Sequence, residues 1–205
     1  MNRITSEAQL RAIIGEPTAL VQSKISNRVI PLARRFIELS PLVCIATSAA
    51  NGDCDVSPRG DPAGFVRLLD DQTLLLPERP GNRLADTLRN ILVNPHVGLL
   101  FMIPGAGDTL RVNGRAFITD DSALLADSAV EGKPPKLGIM IEIDEVFTQC
   151  SKAFIRSECW NPQRFVDASA LPTGGQMMAS LRDDIDATVY DTERGARYAR
   201  RENFY

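Results

Sequence analysis

The chain has 205 residues, of which 44% are hydrophobic and 24% charged, and its formal net charge is −3. This length suits one domain with a sizeable core, and two complete domains would be cramped. The balanced charge excludes the broad basic surface of a protein that binds nucleic acid or anionic lipid, so any anion site must be local.

The beginning of the chain predicts a cytoplasmic protein. Residues 1–17 contain no continuous apolar run and no small-residue cleavage site, unlike a secretory signal. No apolar run approaches the roughly 20 residues that a membrane-spanning helix needs. The four cysteines include no C-x-x-C pair, so we expect reduced thiols, with Cys44 buried as a small apolar side chain.

Helical spacing of apolar residues predicts two helices before the first strand. They cover residues 6–14 and 27–39, and Asn27 is the expected N-cap of the second helix. A β-rich run follows at 41–49 and ends at an Asn-Gly pair, which is a strong hairpin signal. The chain therefore enters a hairpin soon after its amino-terminal helices.

The middle of the chain predicts short antiparallel strands separated by turns. Further strand candidates are residues 54–57, 65–69, 73–76, 96–103, 109–119 and 137–150. Helices are expected at 83–93 and 120–130. Six or seven short strands with frequent turns favour a mainly β fold, a small barrel with peripheral helices. The alternation of strands and helices that a dinucleotide-binding fold requires is absent.

An anion site is predicted where the stretch "ERPGNRLADTLRN" (78–90) enters a helix. Gly81 and Asn82 lead into the helical pattern, whose first turn exposes backbone N–H groups with a partial positive charge. Arg79 and Arg83 flank this point, as is typical of a phosphate site. The alternative is that both arginines are solvated and Asn82 is an ordinary cap.

Three further arginines strengthen the phosphate interpretation. Arg59 lies in the stretch "SPRGDPAGF" (57–65), which we interpret as a stiff loop, and Arg67 and Arg111 lie in predicted strands. If the strand at 109–119 lies beside the first hairpin, Arg111 faces the same cleft as Arg59. Such a cleft suits a flat ligand that carries a phosphate.

The final third of the chain predicts a helical extension that begins with "SKAFIRSECW". A helix here places Lys152, Arg156 and Trp160 on one face. This face either selects an anionic or aromatic substrate or is a solvated basic surface with Trp160 packed into the core. The single histidine, His96, is interpreted as structural, and no metal site is expected.

The order of these motifs resembles the pyridoxamine 5′-phosphate oxidase-like, FMN-binding split-barrel flavoproteins. The resemblance covers about residues 41–119, includes the "DVSPRGDP" and "PGN-R" loops, and extends to "SKAFIRSECW". It implies an antiparallel Greek-key split barrel, with residues 1–205 forming one domain that has amino-terminal helices and a carboxy-terminal helical extension. It also implies a homodimer that binds FMN in clefts between its subunits.

The resemblance further implies which residues surround the cofactor. The 57–61 loop would run along the isoalloxazine and ribityl groups, and the residues around Arg83 would hold the phosphate. The complete implied set is Ser57, Pro58, Arg59, Gly60, Asp61, Pro77, Arg79, Asn82, Arg83, Thr87, Thr109 and Arg111.

The sequence departs from the oxidase itself at several places. Its Ser-Arg-Lys phosphate motif corresponds here to Asn82-Arg83-Leu84, and its substrate lysine corresponds to Asp61 or Pro62. The carboxy-terminal arginine and histidine pattern is missing. These departures argue against pyridoxamine phosphate oxidation and leave the catalytic residues unassigned.

The resemblance implies an FMN-dependent oxidoreductase that exchanges electrons with a small molecule such as a reduced nicotinamide. One alternative is a flavin-binding shuttle, storage or sensor protein without turnover. Another is a related barrel that binds the deazaflavin F420 or haem, although a single histidine in a strand, His96, argues against haem.

Overall fold

In the computed structural model, which describes residues 2–205, seven antiparallel strands form one sheet. The strands are β1 (Leu42–Ser48), β2 (Cys54–Gly60), β3 (Arg67–Leu68), β4 (Thr73–Glu78), β5 (His96–Met102), β6 (Thr109–Thr119) and β7 (Leu137–Gln149). Their order in the sheet is β2-β1-β5-β6-β7-β4-β3. The prediction of a mainly β, antiparallel split barrel is confirmed.

Helices flank the sheet at both ends of the chain and in the longer connections. They are α1 (Glu7–Ile14), α2 (Ala19–Ser23), α3 (Pro31–Leu39), α4 (Asp86–Val93), α5 (Ser122–Ala126), α6 (Lys152–Ser157), α7 (Gly174–Ala179) and α8 (Ala187–Ala199). Two short 3-10 turns, Pro162–Arg164 and Ala168–Ala170, lie between α6 and α7. Within residues 2–205, no helix has the length and apolarity to cross a membrane.

The main core packs against Ala33 and Ile37 of α3, and a smaller buried cluster of Leu75, Leu125 and Met140 is separate from it. Val43 and Ile45 of β1 pair with Phe101 and Leu99 of β5, and all four side chains are buried. Successive strand residues point to opposite faces, so this alternation places the four side chains on the same face of the sheet. Cys44 falls on the other face and is half-buried, which corrects the expectation of a fully buried thiol.

The second predicted helix begins later than its apolar pattern suggested. The prediction of Asn27 as its N-cap is wrong, because α3 starts at Pro31 and its N-cap is Ile30, which makes no capping hydrogen bond. A residue before proline is held in an extended conformation, and Ile30 has ψ 160°. The proline therefore fixes the start of the helix.

The stretch interpreted as a loop after the first hairpin is partly strand. β2 continues through Ser57 to Gly60, with Pro58 opposite Cys44 of β1. β2 ends the strand order, and a proline is tolerated at an edge because its missing N–H is not needed by a further strand. The residues of this stretch are thus held by a ladder of hydrogen bonds.

The predicted face of Lys152, Arg156 and Trp160 does not exist as one helix face. α6 ends at Ser157, and Glu158 adopts a left-handed conformation with φ 49°. Trp160 instead donates its indole Nε1–H to the carbonyl of Ala106 at 2.8 Å and stacks on Phe154 with ring centroids 5.8 Å apart. The indole therefore fastens this segment to the β5–β6 turn.

Arg67, in the short strand β3, is held by protein partners on α5. Its Nη1 donates to the carbonyl of Leu124 at 2.8 Å, and its Nη2 pairs with Asp127 at 2.9 Å. Both partners belong to α5 or the residue that caps it. Arg67 therefore ties α5 to β3.

Candidate functional site

A cavity of about 730 Å³ lies between β2 and the segment that leads from β4 into α4. Its walls are residues 55–61, Phe65 and residues 77–88. Small-molecule sites usually have volumes of this size. The fold thus brings together the two stretches, "SPRGD" and "ERPGNR", that the sequence singled out separately.

Ten of the twelve implied cofactor residues line this cavity. They are Ser57, Pro58, Arg59, Gly60, Asp61, Pro77, Arg79, Asn82, Arg83 and Thr87. The other two lie elsewhere, because β1 and β5 separate β6 from β2. Thr109 is buried in β6, and the exposed Arg111 lies over the ring of Phe147 at 5.0 Å. Within one chain, β6 does not lie beside the first hairpin, so the condition on which Arg111 would share a cleft with Arg59 is not met.

Arg59 forms an ion pair with Glu78 across the cavity wall. Asp55, Ser57 and Arg59 are the alternate, half-buried residues of β2, and they line the cavity. Glu78 is the last residue of β4 and lines the same cavity. The guanidinium Nη1 donates to the Glu78 carboxylate, and only 16% and 20% of the two side chains are exposed. Arg59 Nε is buried without a protein partner, so a donor remains for a ligand.

Arg79 belongs to a second buried network. Its Nε donates to Asp61 at 2.6 Å and its Nη2 to the carbonyl of Ser128 at 2.8 Å. The hydroxyl of Tyr205 donates to the other oxygen of Asp61 at 2.9 Å. The hydrogen bond to Asp61, with burial, raises the pKa of Tyr205 above its ordinary value of 10.0. With both carboxylate oxygens and two guanidinium nitrogens engaged, the network is largely satisfied.

Arg83 lies on an irregular loop directly before α4. Asn82 accepts a hydrogen bond from the backbone N–H of Leu84 at 3.0 Å, and Arg83 and Ala85 are both left-handed, with φ 66° and 56°. Residues other than glycine rarely adopt this conformation, and such residues cluster at functional sites. The predicted helix at 83–93 therefore begins only at Asp86, and Asn82 is not its cap.

Arg83 differs from the other two arginines of the cavity in having no internal partner. Its side chain is exposed, and among residues 2–205 it makes no ion pair or side-chain hydrogen bond. The four carboxylates of the wall, which are Asp55, Asp61, Glu78 and Asp86, outnumber its three arginines. Arg59 and Arg79 are paired with two of these carboxylates, so within residues 2–205 Arg83 is the wall cation that an anion could use.

Thr87 has a structural contact in place of a free hydroxyl. Its Oγ1 donates to Asp55 at 3.1 Å, and the residue is buried at the start of α4. This hydrogen bond joins α4 to β2 across the back of the cavity. Thr87 therefore shapes the wall, and its hydroxyl proton is already used.

The remaining predicted residues lie outside the cavity. Lys152 and Arg156 are exposed on α6, and Trp160 contacts the β5–β6 turn. His96 is exposed and its Nδ1 lies 3.0 Å from Asn94 Oδ1. In the described part of the chain, no three His, Cys, Asp or Glu side chains are grouped to hold a metal ion.

Glu78 and Tyr205 contact the cavity arginines and were not predicted. Glu78 stood within the quoted stretch 78–90, and its position one residue before Arg79 is a signal that a carboxylate is near the site. Tyr205 lies 144 residues from Asp61 and carries no local signal. Long-range contacts of this kind depend on the completed fold.

The fold has counterparts among solved structures. HupZ from Group A Streptococcus is 22% identical, with 60% of this chain and 95% of that chain covered and a TM-score of 0.50. A FAD-binding protein from Mesorhizobium loti is 17% identical, with 60% and 96% covered and a TM-score of 0.41. The heme storage protein HutZ from Vibrio cholerae is 17% identical, with 60% and 94% covered and a TM-score of 0.40.

Sequence comparison identifies the family. No curated protein is significantly similar to this chain. The family model described as pyridoxamine 5′-phosphate oxidase, however, matches residues 30–150, a span that includes the sheet and every residue of the cavity wall. Because this match covers more than half of the sequence, the chain belongs to the pyridoxamine 5′-phosphate oxidase family.

Proposed function

We propose that the protein binds FMN in the cavity between β2 and α4 and acts as an FMN-dependent oxidoreductase. The observation that carries the proposal is Arg83, a cation on the cavity wall with no internal partner among residues 2–205. It precedes the start of α4, where backbone N–H groups are free. A guanidinium beside a helix start suits one terminal phosphate.

The other cavity residues fit a flavin in size and in polar groups. The volume of about 730 Å³ accommodates a tricyclic ring with a ribityl chain. Arg59 Nε is a buried donor without a protein partner, and Pro77 gives the wall an apolar surface. A single free cation favours one phosphate group, so we expect FMN to bind more tightly than FAD.

When bound, FMN supplies the redox chemistry. The chain's own residues bind and orient it: Arg83 neutralises the phosphate, and β2 presents Ser57 and Arg59 towards the cavity. The ion pair with Glu78 holds the Arg59 guanidinium in one orientation. Because this pair is mostly buried, its position changes little when a ligand enters.

We further propose that the protein is a homodimer whose second subunit completes the cavity. Val56 and Leu84 line the cavity yet are 65% and 62% exposed, and Leu92 and Val93 on α4 are exposed as well. Neighbouring apolar side chains of this kind are typical of an interface. Arg111 is exposed on β6 and is free to approach the cavity of a second chain.

Titration calorimetry with FMN and FAD tests this function, together with the absorption spectrum of the purified protein. We expect a yellow protein, or one that turns yellow with FMN, and weaker binding of FAD. No FMN binding, or clearly tighter FAD binding, would overturn the proposal. Mixing the FMN complex with NADH or NADPH then tests the redox role. Tight FMN binding without reduction by any donor would favour the shuttle, storage or sensor alternative.

A further inference from the structure

The end of the chain reaches back to the cavity wall through the side chain of Tyr205. Its hydroxyl donates to Asp61 at 2.9 Å, and the Arg79 guanidinium lies over its ring at 5.3 Å. Only 2% of the Asp61 side chain is exposed. A contact to so deeply buried a carboxylate is more than a surface encounter.

A second contact fastens the same segment. Arg201 pairs with Glu131 at 3.1 Å and also lies over the ring of Tyr205 at 5.5 Å. The left-handed residues Arg201 and Asn203 turn the chain after α8 so that Tyr205 points back to the cavity wall. The main packing partner of α8 itself is α7. Tyr205 and Arg201 thus connect the α7–α8 hairpin to the wall of the cavity.

We propose that Tyr205 is a positioning residue, a latch by which the carboxy-terminal hairpin fixes the Asp61–Arg79 pair and so prepares the cavity for its ligand. The inference rests on the proposed FMN site. Asp61 has one oxygen on Arg79 and the other on Tyr205, so the tyrosine restricts the carboxylate and, through it, the guanidinium. Undocking of Tyr205 leaves one Asp61 oxygen without its partner, so that only Arg79 then holds the carboxylate.

Thermodynamic linkage makes the latch reciprocal. If docking of the tail favours ligand binding, ligand binding must favour docking by the same factor. The tail, residues 197–205, contains trypsin sites at Arg197, Arg200 and Arg201. When opening is fast, cleavage there follows the population of the undocked state. Trypsin therefore reports on docking without any enzymatic turnover.

The test compares Tyr205→Phe with the matched control Tyr198→Phe. Tyr198 lies on α8, and its hydroxyl accepts a hydrogen bond from Arg194, away from the cavity. We expect Tyr205→Phe to speed tail cleavage by roughly tenfold, as for loss of a hydrogen bond to a charged group. We also expect it to raise the Kd for FMN by about fivefold. Saturating FMN should also slow cleavage of the wild-type tail, and Tyr198→Phe should change neither the cleavage rate nor the Kd.

Tyrosine absorbance in alkaline solution tests the contact without flavin. The chain has three tyrosines, so the difference between wild type and Tyr205→Phe isolates one titration. Asp61, Arg79 and Arg201 are the charged groups that face Tyr205, and the hydrogen bond to Asp61 raises its pKa. We expect titration above the ordinary value of 10.0. Titration at the ordinary value would mean that Tyr205 is undocked in solution, which overturns the latch.

The outcomes separate the latch from the proposed function. Faster cleavage with an unchanged Kd for FMN would show docking without coupling, and the proposal fails. Unchanged cleavage also overturns it. If the wild type binds no FMN, the proposed function fails and the coupling with it, while cleavage and titration still decide whether Tyr205 docks on Asp61.

Discussion

Arg59 and Arg79 are cations whose charge is already balanced inside the cavity wall. Glu78 accepts from Arg59, and Asp61 accepts from Arg79. A phosphate that displaced either carboxylate would leave a mostly buried charge without its partner, which is strongly unfavourable. These two pairs therefore shape the cavity, whereas Arg83 supplies the charge that a ligand can use.

Arg83→Ala should weaken FMN binding by about tenfold to a hundredfold. Charge-assisted hydrogen bonds contribute roughly 1.5–3 kcal/mol, and the variant removes the free guanidinium of the cavity. Calorimetry at constant ionic strength measures the change. Arg89→Ala is the matched control, because Arg89 lies further along α4, has a side chain that is 75% exposed and pairs with Asp86 on its own helix. Equal losses in both variants would place the phosphate elsewhere.

Glu78→Gln should lower the free energy of unfolding by about 1–3 kcal/mol, because it leaves the mostly buried Arg59 without a counter-charge. Urea denaturation followed by circular dichroism gives the value. Glu142→Gln is the control, since its partner Arg115 and Glu142 itself are both exposed. Such surface pairs contribute between zero and about 1 kcal/mol. Similar losses in the two variants would mean that the burial of the Arg59–Glu78 pair has no energetic consequence.

At the scale of elements, strand positions could be predicted because alternation and turns are local signals. The observed β6 (Thr109–Thr119) matches the predicted strand, and β7 (Leu137–Gln149) differs from it by one residue. Helix boundaries were less predictable. Left-handed residues other than glycine, such as Arg83 and Glu158, make α4 begin later and α6 end earlier than the sequence pattern predicted. Such conformations have no compositional signal, because the surrounding structure imposes them.

The cavity walls were predictable, but the contacts within them were not. The two stretches at 57–61 and 77–87 stood out through glycine, proline and arginine. The pairing of Arg59 with Glu78, however, depends on β2 and β4 meeting although they lie at opposite ends of the strand order. Curvature of the sheet into a barrel produces that approach, and no local pattern specifies it.

Lys152→Ala and Arg156→Ala should slow flavin reduction while leaving FMN affinity unchanged within about twofold. The two cations are one turn apart on the exposed α6, outside the cavity, where they attract an anionic donor without contacting the cofactor. Stopped-flow reduction by NADPH measures the rates. Arg35→Ala, an exposed cation on α3 that pairs with Glu38, is the control.

The same experiment can contradict a substrate role for α6. Loss of FMN from both variants would assign the segment to the cofactor site. Unchanged rates with every donor that reduces the wild type would make it a solvated basic surface. Trp160 does not enter this test, because its indole is engaged with Ala106 and Phe154.

At the scale of the whole molecule, the cavity lies at one margin of the sheet and is open on one side. β2 ends the strand order, and the opposite wall is the irregular segment before α4. Val56 and Leu84 are exposed at this open side, where the proposed flavin ring would have to be shielded from water. A second subunit over this margin would both cover these apolar side chains and close the cavity.

We therefore predict that a single substitution at this margin, Val56→Glu, abolishes both dimerisation and FMN binding. Val56→Glu places a charge in the proposed interface, and burial of an unpaired charge is strongly unfavourable. Light scattering at micromolar concentration should give twice the chain mass of 22.5 kDa for the wild type and the single-chain mass for the variant. Val189→Glu, at an exposed valine on α8, should remain dimeric and bind FMN. A wild-type monomer that retains flavin would contradict the dimer, because one chain would then suffice to complete the site.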